Sequence, residues 1–267
     1  MKITIVTPSY NSGRFLPATL DSVRQQAATG LEIDHIVVDG GSSDGSVALL
    51  EQHRASLRHL IVEPDRGPAS AINKGLRLAN GDIVAWLNAD DCYQPGALQR
   101  VADAFQRHPR KALAFGRCRI VNEQGAEIRR GITRFKEAFF PFSCRFMVQT
   151  INYISQPAMF FRRDAMLAAG FLREDYKAAW DYDYILRLWR QGGAVRIPGP
   201  PLADFRWHPA SISGGWYSRQ FKEEWETAAA DAGRWSPQSL LHLGVRWGIV
   251  GIYRLMEKRR ERKSACG

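Results

Sequence analysis

The chain has 267 residues, 45% of them hydrophobic and 24% charged, with a formal net charge of +10. That is enough for one α/β domain with a full core, and it excludes disorder as the main state. No run of about 18 apolar residues exists to span a bilayer, and bases crowded at one end without a recognition motif argue against nucleic acid.

The elements alternate through the first half. Met1-Lys2 leads straight into Ile3-Thr4-Ile5-Val6, so a strand rather than a signal peptide is expected at the start. Phe15, Leu16, Leu20 and Val23 recur at helical spacing after Ser12. His35 to Asp39 reads as a second strand, Gly40 to Gly45 as a polar turn, and Ser46 to His53 as a helix. Leu60 to Val62 is a third strand. Pro68 to Ala79 is a helix stopped by Asn80-Gly81, and Ile83 to Leu87 is a fourth strand. This rhythm predicts a mostly parallel sheet covered by helices on both faces. Ligands of such sheets bind beyond the carboxyl ends of the strands, which singles out Ser9-Tyr10-Asn11, Asp39, Asp65-Arg66 and Asn88 to Asp91.

The second half is less regular. Leu113 to Val121 reads as one strand and Phe135 to Met147 as an aromatic loop. Pro157 to Phe161 reads as a short strand, and Asp183 to Gln191 as a helix closed by Gly192-Gly193. The four cysteines, Cys92, Cys118, Cys144 and Cys266, have no paired metal spacing. They read as reduced thiols of a cytoplasmic protein.

Asn88-Ala89-Asp90-Asp91 follows an apolar strand, and carboxylates beside a core need compensation. They can hold Mg²⁺ or Mn²⁺ together with substrate phosphates. They can equally serve a helix N-terminus, since Pro95-Gly96-Ala97 opens a helix soon after. Asp39 can accept from a ribose hydroxyl or a base N–H, or it can bond its own turn. No Gly-x-Gly-x-x-Gly follows the first strand and no P-loop is present, so a nucleotide would not be held by a glycine-rich phosphate loop.

Together these segments resemble the successive motifs of family 2 glycosyltransferases: Thr7-Pro8-Ser9-Tyr10-Asn11, Val38 to Gly45, Asp65-Arg66-Gly67 with Ala71 to Gly75, and Asn88 to Asp91. The resemblance is close over the first 100 residues or so and looser through Gln156-Pro157, Trp180 to Asp183 and Phe205 to His208. It implies a GT-A fold and inverting transfer from a nucleotide-diphosphate sugar. Pro8, Tyr10 and Asn11 match the loop against the nucleoside, Asp39 the acid that recognises the base, and Arg66 a base or phosphate contact. Asn88, Ala89 and Asp90 match the family's Asp-x-Asp motif, with Asn88 a ribose contact and Asp90 the direct ligand of Mn²⁺ or Mg²⁺. Asn88 departs from the pattern, where the family has Asp; this removes a charge and leaves the division of labour with Asp91 open. His208 either approaches the metal or is structural. Asp181 matches the catalytic base; the alternative is that it caps a helix while Asp183 faces solvent. Trp180 and Gln156 are candidates for the acceptor side, and a buried Gln156 satisfying backbone is the other reading of that residue.

The simplest division is a catalytic domain over 1–215, its nucleotide-sugar half 1–100 and its acceptor half 101–215, followed by a helical extension over 216–267. Leu240, Leu241, Leu243, Val245, Trp247, Ile249, Val250, Ile252, Tyr253, Leu255 and Met256 crowd that extension. Between Arg254 and Lys263 six bases meet two acids. This pattern suits an interfacial helix on an anionic membrane, at the inner face of the plasma membrane, with a saccharide or polyprenyl-linked acceptor. It also suits a helix packed on the domain or across a dimer interface; the oligomeric state is not legible. Two rival functions stay open. A sugar nucleotidyltransferase would need an N-terminal glycine-rich basic loop, which is missing, and an inactive nucleotide-sugar-binding module is kept open by Asn88.

Overall fold

β1 (Lys2–Ser9) is buried on both faces from Ile3 onward, as a central parallel strand must be. It pairs in parallel with β2 (Glu32–Asp39) on one side and β4 (Ile83–Trp86) on the other, and β3 (His59–Val62) adds to β2. A computed structural model describes residues 1–209, 211 and 217–248 of the chain. Within them the main sheet has seven strands in the order β10-β6-β9-β4-β1-β2-β3, where β6 is Leu113–Phe115, β9 Met159–Arg162 and β10 Ala194–Arg196. Only β9 runs against its neighbours. A second sheet of four short strands, β5 (Cys92–Tyr93), β11 (Ala203–Arg206), β7 (Cys118–Val121) and β8 (Glu127–Ile128), stands beside it in the order β5-β11-β7-β8.

Side chains alternate between two cores. Val6, Ile36, Val38, Val84, Trp86 and Phe161 face one way, onto α3 (Pro68–Leu78) and α8 (Trp180–Arg190). Ile3, Ile5, Ile83, Ala85 and Phe160 face the other, onto α4 (Ala97–Arg107). A third cluster seats α1 (Leu16–Arg24) and α2 (Ser46–Gln52) on Val37. The period-2 pattern of the strands thus serves both faces at once. Gly75 lets α3 lie directly on β1, since a Cβ there would meet Val6 Cγ1 at 2.3 Å.

The second half corrects several sequence expectations. The single strand expected over Leu113 to Val121 is two strands in different sheets. Gly116 breaks it and packs where a Cβ would lie 2.5 Å from Leu202 Cδ1. The aromatic loop from Phe135 to Met147 holds the end of α5 (Arg130–Glu137), a 3₁₀ turn at Phe140–Phe142 and the start of α6 (Arg145–Thr150). Gln156–Ala158 is a 3₁₀ turn, so the strand there begins only at Met159. α8 starts at Trp180, which puts Asp181 inside its first turn rather than ahead of it. Asn88 to Asp91 forms a turn, not a helix N-cap: α4 begins at Ala97 with Gly96 as its N-cap. α7 (Arg163–Ala169), α9 (Tyr217–Ala232) and a helix α10 over 237–248 complete the described elements. α9 is tied down by Asp231, which pairs with Arg145 and Arg190. Of the apolar tail read from the sequence, Ile249 to Met256 and the basic cluster to Lys263 lie outside the described residues, as does Cys266. Cys92, Cys118 and Cys144 are free thiols.

His35 lies within the sheet on β2, its ring Nε2 2.9 Å from Thr7 Oγ1 on β1. Burial pushes its pKa from 6.5 down to about 4, so the fold favours the neutral ring. The unfolded chain binds this proton first as pH falls, so stability is lost from about pH 6.5 downward and the loss is complete near pH 4. At one pKa unit per 1.4 kcal/mol the loss amounts to about 3 kcal/mol. Urea denaturation at pH 7 and pH 4.5 should show this slope in the native chain and a flatter one in His35→Gln.

Candidate functional site

The register pairs Ser9 with Asp39, Asp39 with Val62 and Val6 with Trp86, so the loops after β1 to β4 leave one edge of the sheet together. Pro8 is buried at the end of β1, and the Tyr10 ring after it is 65% exposed. Asn11 adopts a left-handed φ of 47°. Its N–H donates to Ser42 Oγ at 2.8 Å and its Oδ1 accepts from the Ser43 N–H at 2.9 Å, which joins the first loop to the second.

Asp39 is wholly buried. It accepts from the Gly41 and Ser42 N–H groups at 3.1 and 2.7 Å and from the Ser9 and Ser42 hydroxyls at 2.8 Å each. Of its two readings, the turn-forming one describes these contacts. Asp65, singled out in the sequence only as a polar residue after a strand, is the acid beside the exposed tyrosine. One oxygen accepts from the Gly67 N–H at 2.7 Å. The other lies 2.6 Å from where a Cβ of Gly40 would be, with Tyr10 Cδ2 at 3.3 Å from the same point. Gly40 therefore leaves a gap between an aromatic ring and a carboxylate. The signal in the sequence was Gly40-Gly41 after Asp39, which marked a close approach without saying of what. Arg66 is exposed and pairs with Glu174 at 2.7 Å.

The turn after β4 separates its two acids. Asp91 is wholly buried: one oxygen accepts from the Arg206 N–H at 2.9 Å and the other from Asn88 Nδ2 at 3.1 Å. The Thr19 hydroxyl donates to the carbonyls of Ala89 and Asp91 at 2.9 and 2.8 Å, and Ala89 is buried beneath it. Burial and the neighbouring Asp90 hold the Asp91 carboxyl well above the usual carboxylate range. Asp90 faces the other way, with Oδ2 3.0 Å from His208 Nε2 and both side chains partly open. The pairing of β5 with β11 brings them together, and Arg206 Nε donates to the Asp90 carbonyl at 2.8 Å. His208 packs on Phe15, ring centroids 5.1 Å apart, and the Arg206 guanidinium lies over the same Phe15 ring at 5.1 Å from its centroid. Phe15 and Arg206 were not read as site residues; Arg206 ends the short strand that leads to His208.

Of the three residues that the sequence reading placed at the metal, Asp91 has both oxygens hydrogen-bonded inside the protein, while Asp90 and His208 are partly open. A carboxylate and an imidazole on one open edge suit Mn²⁺ or Mg²⁺, which take few protein donors and complete their shell from phosphates and water. Among the described residues no third His, Cys, Asp or Glu joins Asp90 and His208.

Gln156 is buried and donates to the Trp86 carbonyl at 2.7 Å while its Oε1 accepts from Asn88 Nδ2 at 3.2 Å. It orients Asn88, and its second reading, a buried Gln satisfying backbone, describes it. Ser155 beside it accepts from Lys136 Nζ at 3.3 Å. Asp181 is half-buried and its Oδ1 accepts from the Tyr182 N–H at 2.8 Å. Burial raises its pKa, opposed by that N–H and by the Lys136 charge. Trp180 is half-buried against the core. Asp183 does not face solvent: it is buried and bonded to Arg187 Nε at 2.8 Å.

A family model described as glycosyl transferase family 2 matches residues 4–171, more than half of the chain. An uncharacterized glycosyltransferase of Mycobacterium tuberculosis is 31% identical over 188 residues, 69% of this chain and 68% of that protein. A chondroitin synthase of Escherichia coli is 27% identical over 188 residues, 70% of this chain and 26% of the synthase. Other relatives are also longer: the matched stretch is 33% of a Nostoc protein and 61% of a Haemophilus influenzae one. Among solved structures, the mannosyltransferase PcManGT from Pyrobaculum calidifontis, in complex with GDP-Man and Mn²⁺, superposes with a TM-score of 0.70 at 18% identity, over 92% of this chain and 69% of that one. S. aureus TarS 1–349 in complex with UDP-GlcNAc gives 0.68 at 18% identity, over 87% and 66%. At that identity the likeness is one of fold.

The opposed roles of the two neighbouring acids can be measured. Asp91→Ala leaves the Arg206 N–H and the Asn88 amide without their partner and should cost about 3 kcal/mol. Asp90→Ala removes only a partly exposed contact and should cost less than about 1 kcal/mol. Equal costs in chemical denaturation would overturn the distinction.

Proposed function

The chain belongs to glycosyl transferase family 2, and on that premise we propose that it moves a sugar from a nucleotide-diphosphate donor onto a hydroxyl of a saccharide or lipid-linked acceptor, with inversion. The observation that carries this reading is the run of hydrogen bonds from the donor-side loops to Lys136. Asn88 bonds to Gln156; the adjoining Ser155 bonds to Lys136, and the Lys136 charge acts on Asp181.

In this reading the nucleoside sits on the exposed Tyr10 ring, with Asn11, Pro8 and Asp39 shaping the loop and the Asp65 carboxylate beside it accepting a hydrogen bond from the nucleoside. Arg66 reaches the base or a phosphate, and Asn88 the ribose. Asp90 and His208 would hold the cation, which supplies positive charge to the departing diphosphate when bound. The acceptor oxygen attacks the anomeric carbon as the bond from that carbon to the diphosphate oxygen breaks. The nucleoside diphosphate leaves with the electron pair, and the hydroxyl proton passes to the Asp181 carboxylate. Burial raises the proton affinity of Asp181 above that of a free carboxylate, which suits a base. Trp180 packs at the start of the same helix, on the acceptor side.

Asp181→Asn should lower turnover by roughly 10² to 10⁴-fold while donor affinity stays unchanged, because only the proton transfer is lost. Nucleotide release from UDP-, GDP- and dTDP-sugars with and without Mn²⁺ reads the first, and calorimetric donor titration the second. Retained turnover would sink the role of Asp181, and loss of donor binding would make it a donor contact instead.

We also place the protein on an anionic membrane surface, and the support is the C-terminal helix. Trp247 is 73% exposed, Leu240 and Leu241 are about half exposed, and Trp235 ahead of α10 is 80% exposed. Trp at both ends of an exposed apolar face, with bases following in sequence, suits the headgroup level. None of the described helices is long and apolar enough to cross a membrane. The native chain should float with vesicles containing phosphatidylglycerol, and Leu241→Ser/Trp247→Ser should not. Equal flotation of both would refute the placement.

A further inference from the structure

A narrow recess lies between α5 and β7. Cys118 and Ile120 of β7 form one wall, Thr133 and Lys136 of α5 another, and Tyr153 and Ser155 close it. Its free space is about what one water molecule needs, and it is partly open to solvent. It therefore admits the tip of a substituent and not a whole ring.

The recess holds hydrogen-bond donors without acceptors. Thr133 is buried, and its Oγ1 has no partner. A helical threonine can return its hydroxyl to the carbonyl four residues earlier. Thr133 does not; only its N–H reaches the Arg129 carbonyl, at 3.4 Å. Ser155 Oγ accepts from Lys136 Nζ at 3.3 Å, which leaves the serine proton and further Lys136 N–H groups to give. A buried hydroxyl without a partner costs free energy that a bound acceptor recovers.

The unpaired charge of the recess is the half-buried Lys136 ammonium. Among the described residues no carboxylate lies within ion-pair distance of it; Asp181 and Glu224 feel its charge from further off. Glu137, the acid of the lining, is paired with Arg117 at 2.8 Å. Burial raises the pKa of the Cys118 thiol, so the sulfur adds no negative charge.

We propose that this recess is a subsite for the carboxylate of an acidic sugar, a uronate, on the saccharide substrate. This rests on the chain acting on saccharides. One ammonium matches one negative charge, whereas a phosphate monoester brings nearly two. A planar carboxylate also enters a narrow space more readily than a tetrahedral group. One of its oxygens would accept from Lys136 and Ser155, and the other from Thr133. The hydroxymethyl group of the parent hexose brings one oxygen and no charge, so the subsite selects uronates over hexoses. Its place fits a substrate contact: Ser155 adjoins Gln156, which bonds to Asn88 on the donor side.

The test follows the Thr133 methyl signal by carbon-13 NMR in the full-length, threonine-labelled protein, assigned with Thr133→Val. D-glucuronate, D-galacturonate, D-glucose and D-galactose are added in turn. A uronate should shift the signal saturably and bind about tenfold more tightly than its parent hexose, and Lys136→Gln should remove that preference. Thr133→Val loses only the unpartnered hydroxyl, so its Tm should be at or above the native one, while calorimetry shows several-fold weaker uronate binding. Equal affinity for uronates and hexoses, or uronate binding unchanged in Lys136→Gln, overturns the subsite. So does the absence of a saturable shift with all four sugars, which leaves the recess an ordered water only. Tighter binding of UDP-glucuronate than UDP-glucose, lost in Lys136→Gln, places the carboxylate on the donor; no such preference, with free uronate bound, places it on the acceptor. Uronate binding without turnover of any donor sinks the transfer reading and leaves the subsite standing.

Discussion

The buried Asp91 carboxylate is the joint on which the candidate site depends. It reaches from the turn after β4 to the backbone of β11, more than a hundred positions away in sequence, and to the Asn88 amide within its own turn. The main sheet delivers β4, but nothing in that sheet requires the end of β11 to lie beside it. Pairing of β5 with β11 brings the two close, and Asp91 closes the contact with a hydrogen bond to the Arg206 N–H. Arg206 then reaches over the joint to the carbonyls of Asp90, Asn122 and Glu123. A buried acid is expensive unless its oxygens are bonded, and a backbone N–H that loses its acceptor is costly too. Each side of the joint therefore needs the other, and Asp90 and His208 meet only because it is closed.

Neighbouring acids recur in this protein with opposite duties. Asp91 points inward and Asp90 outward. Asp183 is buried against Arg187, while Asp181, two positions before it, lies in the first helical turn close to Lys136. Glu223 takes backbone donors, while the buried Glu224 beside it takes the Asn152 and Gln220 amides. In each case one acid is tied to backbone N–H groups or to an arginine, and the other meets different partners: His208 for Asp90, Tyr182 N–H for Asp181, Asn152 and Gln220 for Glu224. The first kind builds the site and the second is available to it. Side chains close in sequence diverge in space on a turn or a helix, so a pair of acids supplies both without a longer insertion.

This divergence is also why the site was only partly legible in the sequence. The strands of the first half were readable because Ile3 to Val6, His35 to Val38 and Ile83 to Trp86 are apolar on both faces and end in polar loops. The parallel register then gathered Tyr10, Asp39, Asp65 and Asn88 to Asp91 on one edge. What the strand pattern does not carry is which of two identical side chains turns inward. Asp90 and Asp91 differ only through Arg206, His208 and Thr19, all remote in sequence. Beyond Phe115 the strands have two to four residues and, unlike the equally short β4, carry charges such as Arg119, Glu127 and Asp204. Gly116 shows the limit: its meaning is the Leu202 side chain packed against it. Asp39 and Gln156 show another, since each had two chemically sound readings that only the buried bonds around them separate.

α9 extends the same logic past the part of the chain that the family model matches. Its described contacts are not those of an appendage. Asp231 is held by Arg145 and Arg190, and Glu223 holds the backbone that leads into α8. Glu223 accepts from the N–H of the N-cap residue Ala179 and from those of the two residues before it, and a negative charge there complements the helix dipole. The orientation of α8, and with it of Asp181, is therefore fixed in part by a residue more than forty positions downstream. α10 continues from α9, and its buried His242 has Nδ1 3.0 Å from the Gln149 carbonyl and its ring against Tyr182, the neighbour of Asp181. The exposed apolar face of α10 lies on the other side of that same short helix. His242 therefore joins α10 to Tyr182, the residue next to Asp181 in the first turn of α8.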